Sequence, residues 1–228
     1  MGFIGVQPAS VPLTASDITN DIINADKIAD TAISGFTALG AEPADTDELL
    51  VSDAGTLKRM DYSYIKGGGI TVADQWRLNT NLSPSGTSLA YITANLERVD
   101  TGGQGTLGSA MTESSGVFTF PSTGIWLVRA SIQFQNDGTT TRYLQNYMAV
   151  TTNKSSYTTI TEASGNISGG VGSTYTQVPA QSLIDVTDTS NVKVKFGYIV
   201  ADSGNSMTIY ANSTTNRTYF TFIRLGDT

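Results

Sequence analysis

The stretch GVFTFPSTGIWLVRASIQF, residues 116–134, reads as two β-strands folded about a Pro-Ser-Thr-Gly corner. In its second half Trp126, Val128, Ala130, Ile132 and Phe134 fall on one side. That is the two-residue period of a strand buried on one face. The opposite side starts apolar, with Ile125 and Leu127, and turns polar at Arg129, Ser131 and Gln133. TYFTFIRL, residues 218–225, has a similar excess: Phe220 and Phe222 lie on one face, Tyr219, Ile223 and Leu225 on the other. Single exposed apolar side chains are ordinary. Two strands with the same surplus predict a subunit interface at Ile125, Leu127, Tyr219 and Ile223.

Composition agrees with an all-β chain. Of 228 residues, 39% are hydrophobic and only 14% charged, with 23 glycines and many threonines, serines and asparagines. Such a mixture suits strands and turns and is poor in the usual helix formers. The net charge of −7 argues against nucleic acid and against anionic membranes. No run has the length of a membrane span. The opening MGFIGVQPASVPL lacks the features of a secretion signal, so synthesis in a cytoplasm is expected. Cysteine and histidine are both missing, which removes disulfides, thiolate nucleophiles, common zinc sites and imidazole-based catalysis. Oligomerisation is the remaining route to extra stability.

Residues 1–66 differ from the rest. In DITNDIINADKIADTAI, Ile18, Ile23, Ile28 and Ile33 recur every five residues, which is neither a strand nor a helix period. A short helix capped by Ser16 or Asp17 is one reading. The other is an extended segment whose isoleucines, with Phe3, Ile4 and Val6, plug holes on a partner and anchor the chain. Residues 48–65 hold two short runs about Asp53-Ala54-Gly55, a hairpin signal. Gly67, Gly68 and Gly69 then form the expected hinge, dividing residues 1–66 from a domain at 70–228. In that domain strands are expected at Leu89–Arg98, Gly116–Phe120, Ile125–Gln135, Arg142–Thr152, Tyr157–Thr161, Thr174–Val178, Gln181–Val186, Val192–Val200, Met207–Ala211 and Thr218–Leu225. Short strands separated by turn-forming residues predict a β-sandwich or jelly roll.

Motifs for chemistry are sparse. Asp45, Asp47 and Glu48 have calcium-type ligands, but the run through Asp53 lacks the full calcium-loop pattern, and a solvated, Asp-capped turn is the plainer reading. TGGQGTLG, residues 101–108, lacks the Lys of a phosphate-binding loop and reads as a flexible connector. Lys193 and Lys195 read as solvent-facing or edge-protecting residues. Carboxylates are scattered, with no pair singled out for glycoside hydrolysis, so neither catalysis nor a cofactor is expected. Tyr143, Tyr157 and Tyr175, near polar loops, are candidates for stacking on sugars.

The segments SSGVFTFPSTGIWLVRASIQF (114–134), SLIDVTDTSNVKVKFGYI (182–199) and TYFTFIRLG (218–226) together resemble the trimeric jelly-roll heads of the tumour necrosis factor and complement-globular-head superfamily. The resemblance implies a homotrimeric jelly-roll head; the collagen-like stalk, cysteines and receptor roles of the vertebrate members do not carry over. MGFIGVQPASVPLTASDI (1–18) and PADTDELLVSDAGTLKRMDYSYI (43–65) resemble the leaders of small fibre proteins of tailed bacteriophages. That resemblance implies a virion structural protein, assembled in the host cytoplasm. Its largely extended N-terminal segment would dock on other virion proteins, and its head would bind a host cell-surface glycan or protein as a tail fibre or spike. A capsid decoration protein is the alternative, and a polysaccharide-degrading enzyme a more distant one.

Overall fold

The computed structural model describes Thr14 and residues 34–65, 69–84, 87–138, 140–201 and 207–228. Phe3, Ile4, Val6, Ile18, Ile23, Ile28, Ile33, Gly67 and Gly68 lie outside the described residues. The chain divides into two compact units, Met1–Gly67 and Gly68–Thr228.

In the first unit β1 (Glu48–Asp53) and β2 (Thr56–Asp61) form an antiparallel hairpin in which Asp53 pairs with Thr56. The connecting Ala54 and Gly55 both have positive φ, +49° and +85°. That is the backbone a two-residue hairpin turn requires. Diagonal ion pairs Lys58–Asp53 and Arg59–Glu48 cross the strands. The Asp47 carboxylate accepts the Ala44 N–H at 2.9 Å, capping the turn before β1. The acidic run is therefore engaged in turn and hairpin contacts. Among the described residues no cluster of three carboxylates has a metal-binding arrangement.

The second unit is a jelly-roll sandwich of two antiparallel sheets. Its strands are β3 (Ala73–Leu78), β4 (Ala90–Tyr91), β5 (Leu96–Arg98), β6 (Thr112–Ser114), β7 (Val117–Thr119), β8 (Gly124–Asn136), β9 (Thr141–Thr151), β10 (Thr158–Ile167), β11 (Thr174–Val186), β12 (Lys193–Val200), β13 (Met207–Ile209) and β14 (Tyr219–Gly226). One sheet runs β11-β8-β14-β3-β5, with β13 also on β8; the other runs β10-β9-β12-β7-β6, with β4 also on β12. The alternation read in β8 sends Trp126, Val128, Ala130, Ile132 and Phe134 into the core, all essentially unexposed. Phe118 sits at the centre of an aromatic cluster, with ring centroids 5.5 Å from Trp76, 5.6 Å from Phe196 and 5.1 Å from Phe222. Phe196 and Phe220 stack face to face at 4.3 Å, one from each sheet. Inside the core Asn146 of β9 donates to Ala130 O (3.1 Å) and Val178 O (2.8 Å), stitching the two sheets together.

Several expectations need correction. β3 was not expected as a strand, because ADQWRL carries buried charge. Leu89–Arg98 breaks into β4 and β5 around Asn95, whose φ is +61°. The expected Thr174–Val178 and Gln181–Val186 are one continuous β11, since proline at position 179 is tolerated on an edge strand. β10 runs past the expected end at Thr161 to Ile167; its Gly165 is needed because a Cβ there would stand 2.9 Å from Val178 Cγ2. Residues 101–108 are pinned to β3, through paired backbone bonds between Leu107 and Ala73 and a 3.0 Å bond from Thr106 Oγ1 to Asp74. Lys193 and Lys195 lie on β12, an interior strand rather than an edge.

Candidate functional site

The outward face of the sheet β11-β8-β14-β3-β5 carries the residues singled out for assembly. Register places Leu183 of β11, Leu127 of β8, Ile223 of β14 and Ala73 of β3 in one row across four strands. Ile125 stands on β8 beyond that row, opposite Asp185 and Gly226. Two residues the other way a polar row follows, Gln181, Arg129, Thr221 and Gln75, in which Gln75 donates to Thr221 Oγ1 at 2.8 Å. Next come Pro179, Ser131, Tyr219 and Arg77. The face is thus apolar at one end and polar beyond it. Ile125, Leu127 and Ile223 gather at the apolar end, while Tyr219 stands two rows away.

Leu183 was missed from the sequence although it is 62% exposed and completes the row. Its signal was parity. Within Gln181–Val186 alone, Leu183 falls opposite Ile184 and Val186 and must face outward.

The buried charges of this unit hold the loops. Arg77 is 1% exposed; it donates to Glu97 Oε1 at 2.7 Å and Thr101 Oγ1 at 3.0 Å, and to the Ser213 carbonyl. Asp74 accepts from Trp76 Nε1 (3.0 Å), Thr106 Oγ1 (3.0 Å), the Met111 N–H (2.9 Å) and Arg98 Nε (3.3 Å). With the Gln75 N–H at 2.8 Å, five donors satisfy this carboxylate, as a buried charge requires. Both groups serve the architecture of the loops over β3.

The three tyrosines do not form one site. Tyr143 is 38% exposed on β9, beside Arg142, Ser164, Gly165 and Asn166. Tyr157 packs on Lys195 Nζ at 4.0 Å, and Tyr91 covers the same ammonium at 3.6 Å. Burial between the rings favours a neutral amine and lowers the Lys195 pKa, while burial raises that of the Tyr157 hydroxyl. Tyr143 and Tyr157 therefore belong to the β10-β9-β12 sheet. Tyr175 lies on the outward face of the other sheet, with its ring 5.4 Å from that of Tyr210.

No protein-family model matches this chain, and no curated protein matches it. Solved structures similar to it include crystal structures of murine APRIL. The pH 8.0 form is 11% identical with a TM-score of 0.47, the pH 8.5 form 12% with 0.46, and the pH 5.0 form 10% with 0.47. Each match covers 68% of this chain and 98% of the other.

Proposed function

We propose that this chain is a virion structural protein of a tailed phage, a homotrimeric fibre or spike. Its N-terminal residues dock on other virion proteins, and its head contacts the host surface. The observation that carries the assembly part is the row Leu183–Leu127–Ile223–Ala73, an apolar strip on the outer face of a sheet that already has its core on the other side. A second copy covering that strip removes it from water, the main driving force of association. The phage assignment draws on the resemblance of residues 1–18 and 43–65 to fibre leaders. Three heads on one axis turn weak single contacts into firm attachment through effective concentration. The role is binding without turnover, in keeping with the structural engagement of Asp74, Arg77 and Glu97.

The test is the mass of the full-length protein in solution by light scattering, followed by binding of the same sample to bacteria. A trimer that binds cells and blocks infection supports the whole reading. A trimer that binds none, yet whose removal weakens the particle, replaces the fibre with a shell-stabilising protein. A monomer overturns the assembly reading.

A further inference from the structure

A groove of about 470 Å³ opens on the same outward face, lined by Gln133, Tyr175, Tyr210, Thr215, Asn216 and Arg217. Eight residues of β11 separate Tyr175 from Leu183 on the apolar row. At about 3.4 Å per residue, that places the groove roughly 27 Å away along the strand. A partner copy seated on the row leaves room for the groove to work.

Its parts are fixed before any ligand arrives. Gln177 of β11 reaches over β8, donating to Ser131 Oγ at 2.7 Å and to the Arg217 carbonyl at 2.9 Å. Thr218, fully buried, donates to Tyr210 O at 2.8 Å and accepts the Gln133 N–H at 3.1 Å. Asn212 Oδ1 accepts the N–H groups of Thr214 and Thr215, each at 2.8 Å, fastening the loop. The Arg217 guanidinium lies 4.0 Å over the Tyr210 ring. Preorganisation of this kind reduces the entropy lost on binding.

Other groups are left unused. Among the described residues no carboxylate pairs with Arg217, in a protein whose net charge is −7. The Gln133 side-chain amide has no hydrogen bond among the described residues. Tyr175 keeps half its surface exposed. A ligand matching these groups carries a negative charge for the guanidinium fork, hydroxyl donors for the Gln133 amide oxygen, and a flat apolar face for the tyrosine ring.

We propose that the groove between Tyr175 and Arg217 binds an acidic sugar, a pyranose bearing a carboxylate. The proposal deepens the reading of the head as a surface-binding module and rests on it. Arg217 holds the carboxylate, Tyr175 stacks on the ring, and the Gln133 amide oxygen accepts from its hydroxyls.

The experiment is saturation-transfer NMR on the full-length protein with trigalacturonate, its neutral methyl ester, sialyllactose and hexaglutamate as probes. At least one acidic sugar is expected to bind in the millimolar range or tighter, weakening as salt rises. Arg217→Gln and Tyr175→Ala each lower that affinity tenfold or more, and Tyr143→Ala leaves it unchanged. No binding of either acidic sugar, equal binding by Arg217→Gln, or equal binding of hexaglutamate overturns the site. Circular dichroism confirms that the variants fold, and light scattering on the same tubes separates the two readings. A trimer indifferent to acidic sugars loses only the groove, and a monomer that binds them loses only the assembly.

Discussion

Replacing Leu183 with lysine gives the sharpest test of the apolar row. Leu183 retains 62% of its surface in the free subunit. Full burial of a leucine is worth about 1.5–3 kcal/mol, so covering the remainder gives about 1–2 kcal/mol per copy and about 3–6 kcal/mol in the proposed trimer. Leu183→Lys forfeits that and sets an ammonium against Leu127 and Ile223. At about 1.4 kcal/mol per tenfold, the trimer's dissociation constant rises by about two to four decades. Sedimentation equilibrium over a wide concentration range reads this directly. The subunit's own stability should barely move, because the side chain already faces solvent on an edge strand. If Leu183→Lys keeps the wild-type trimer mass at the lowest concentrations, the reasoning is refuted, for the row would then lie outside the interface.

Other perturbations test the fold. Phe196→Ala should cost about 3–5 kcal/mol in denaturant melts, since its ring contacts Phe118, Phe220 and Phe222. Gly116 has φ +81°, and a Cβ there would lie 2.0 Å from Ile92 O, so Gly116→Ala should cost about 2–3 kcal/mol. Gly55, with φ +85° but open space around it, should cost only about 1 kcal/mol on the same change; equal losses at the two sites would contradict this ranking. The Asp188 carboxylate accepts the Ser190 N–H at 2.7 Å and is held below its ordinary pKa, first by that bond. Its contribution is therefore present above the unfolded value and lost as pH falls through the folded one; carbon-detected titration of the carboxyl should show the low value, and Asp188→Asn should remove that acid limb. Limited proteolysis should leave an intact fragment beginning near Ile70, and cutting confined to residues 101–108 would argue against the division there.

The long alternating strands were legible because their partners are generic. Strand β8 needs only an apolar core below it, so its ends were placed to within a residue, as were those of β9 and β14. Strand β3 was not legible, because Asp74 and Arg77 are buried by distant partners: Met111, Thr106, Thr101 and Ser213. Nothing within the six residues announces that loops will cover them. On the apolar row, the outward placing of Leu127 and Ile223 followed from local parity; Leu183 obeys the same parity within Gln181–Val186, but a single outward leucine is no signal until β8 lies beside it. The groove escaped for a related reason. Tyr175 is far in sequence from Tyr210 and Arg217, and they meet only because β11 and the segment after β13 flank β8.

Strand order also sets a timetable for synthesis. Strand β14, the last, inserts between β8 and β3, and its Tyr219 pairs with Arg77. That partner left the ribosome about 140 residues earlier. At 5–20 residues per second the gap is roughly 7–28 s. For that interval the growing chain carries β3 and β8 with open edges where the middle of the sheet belongs. The sandwich therefore closes only when β14 has emerged, and a chain stalled short of Tyr219 should be digested throughout. A sheet that closes only at β14 keeps incomplete copies out of any assembly that needs the finished face.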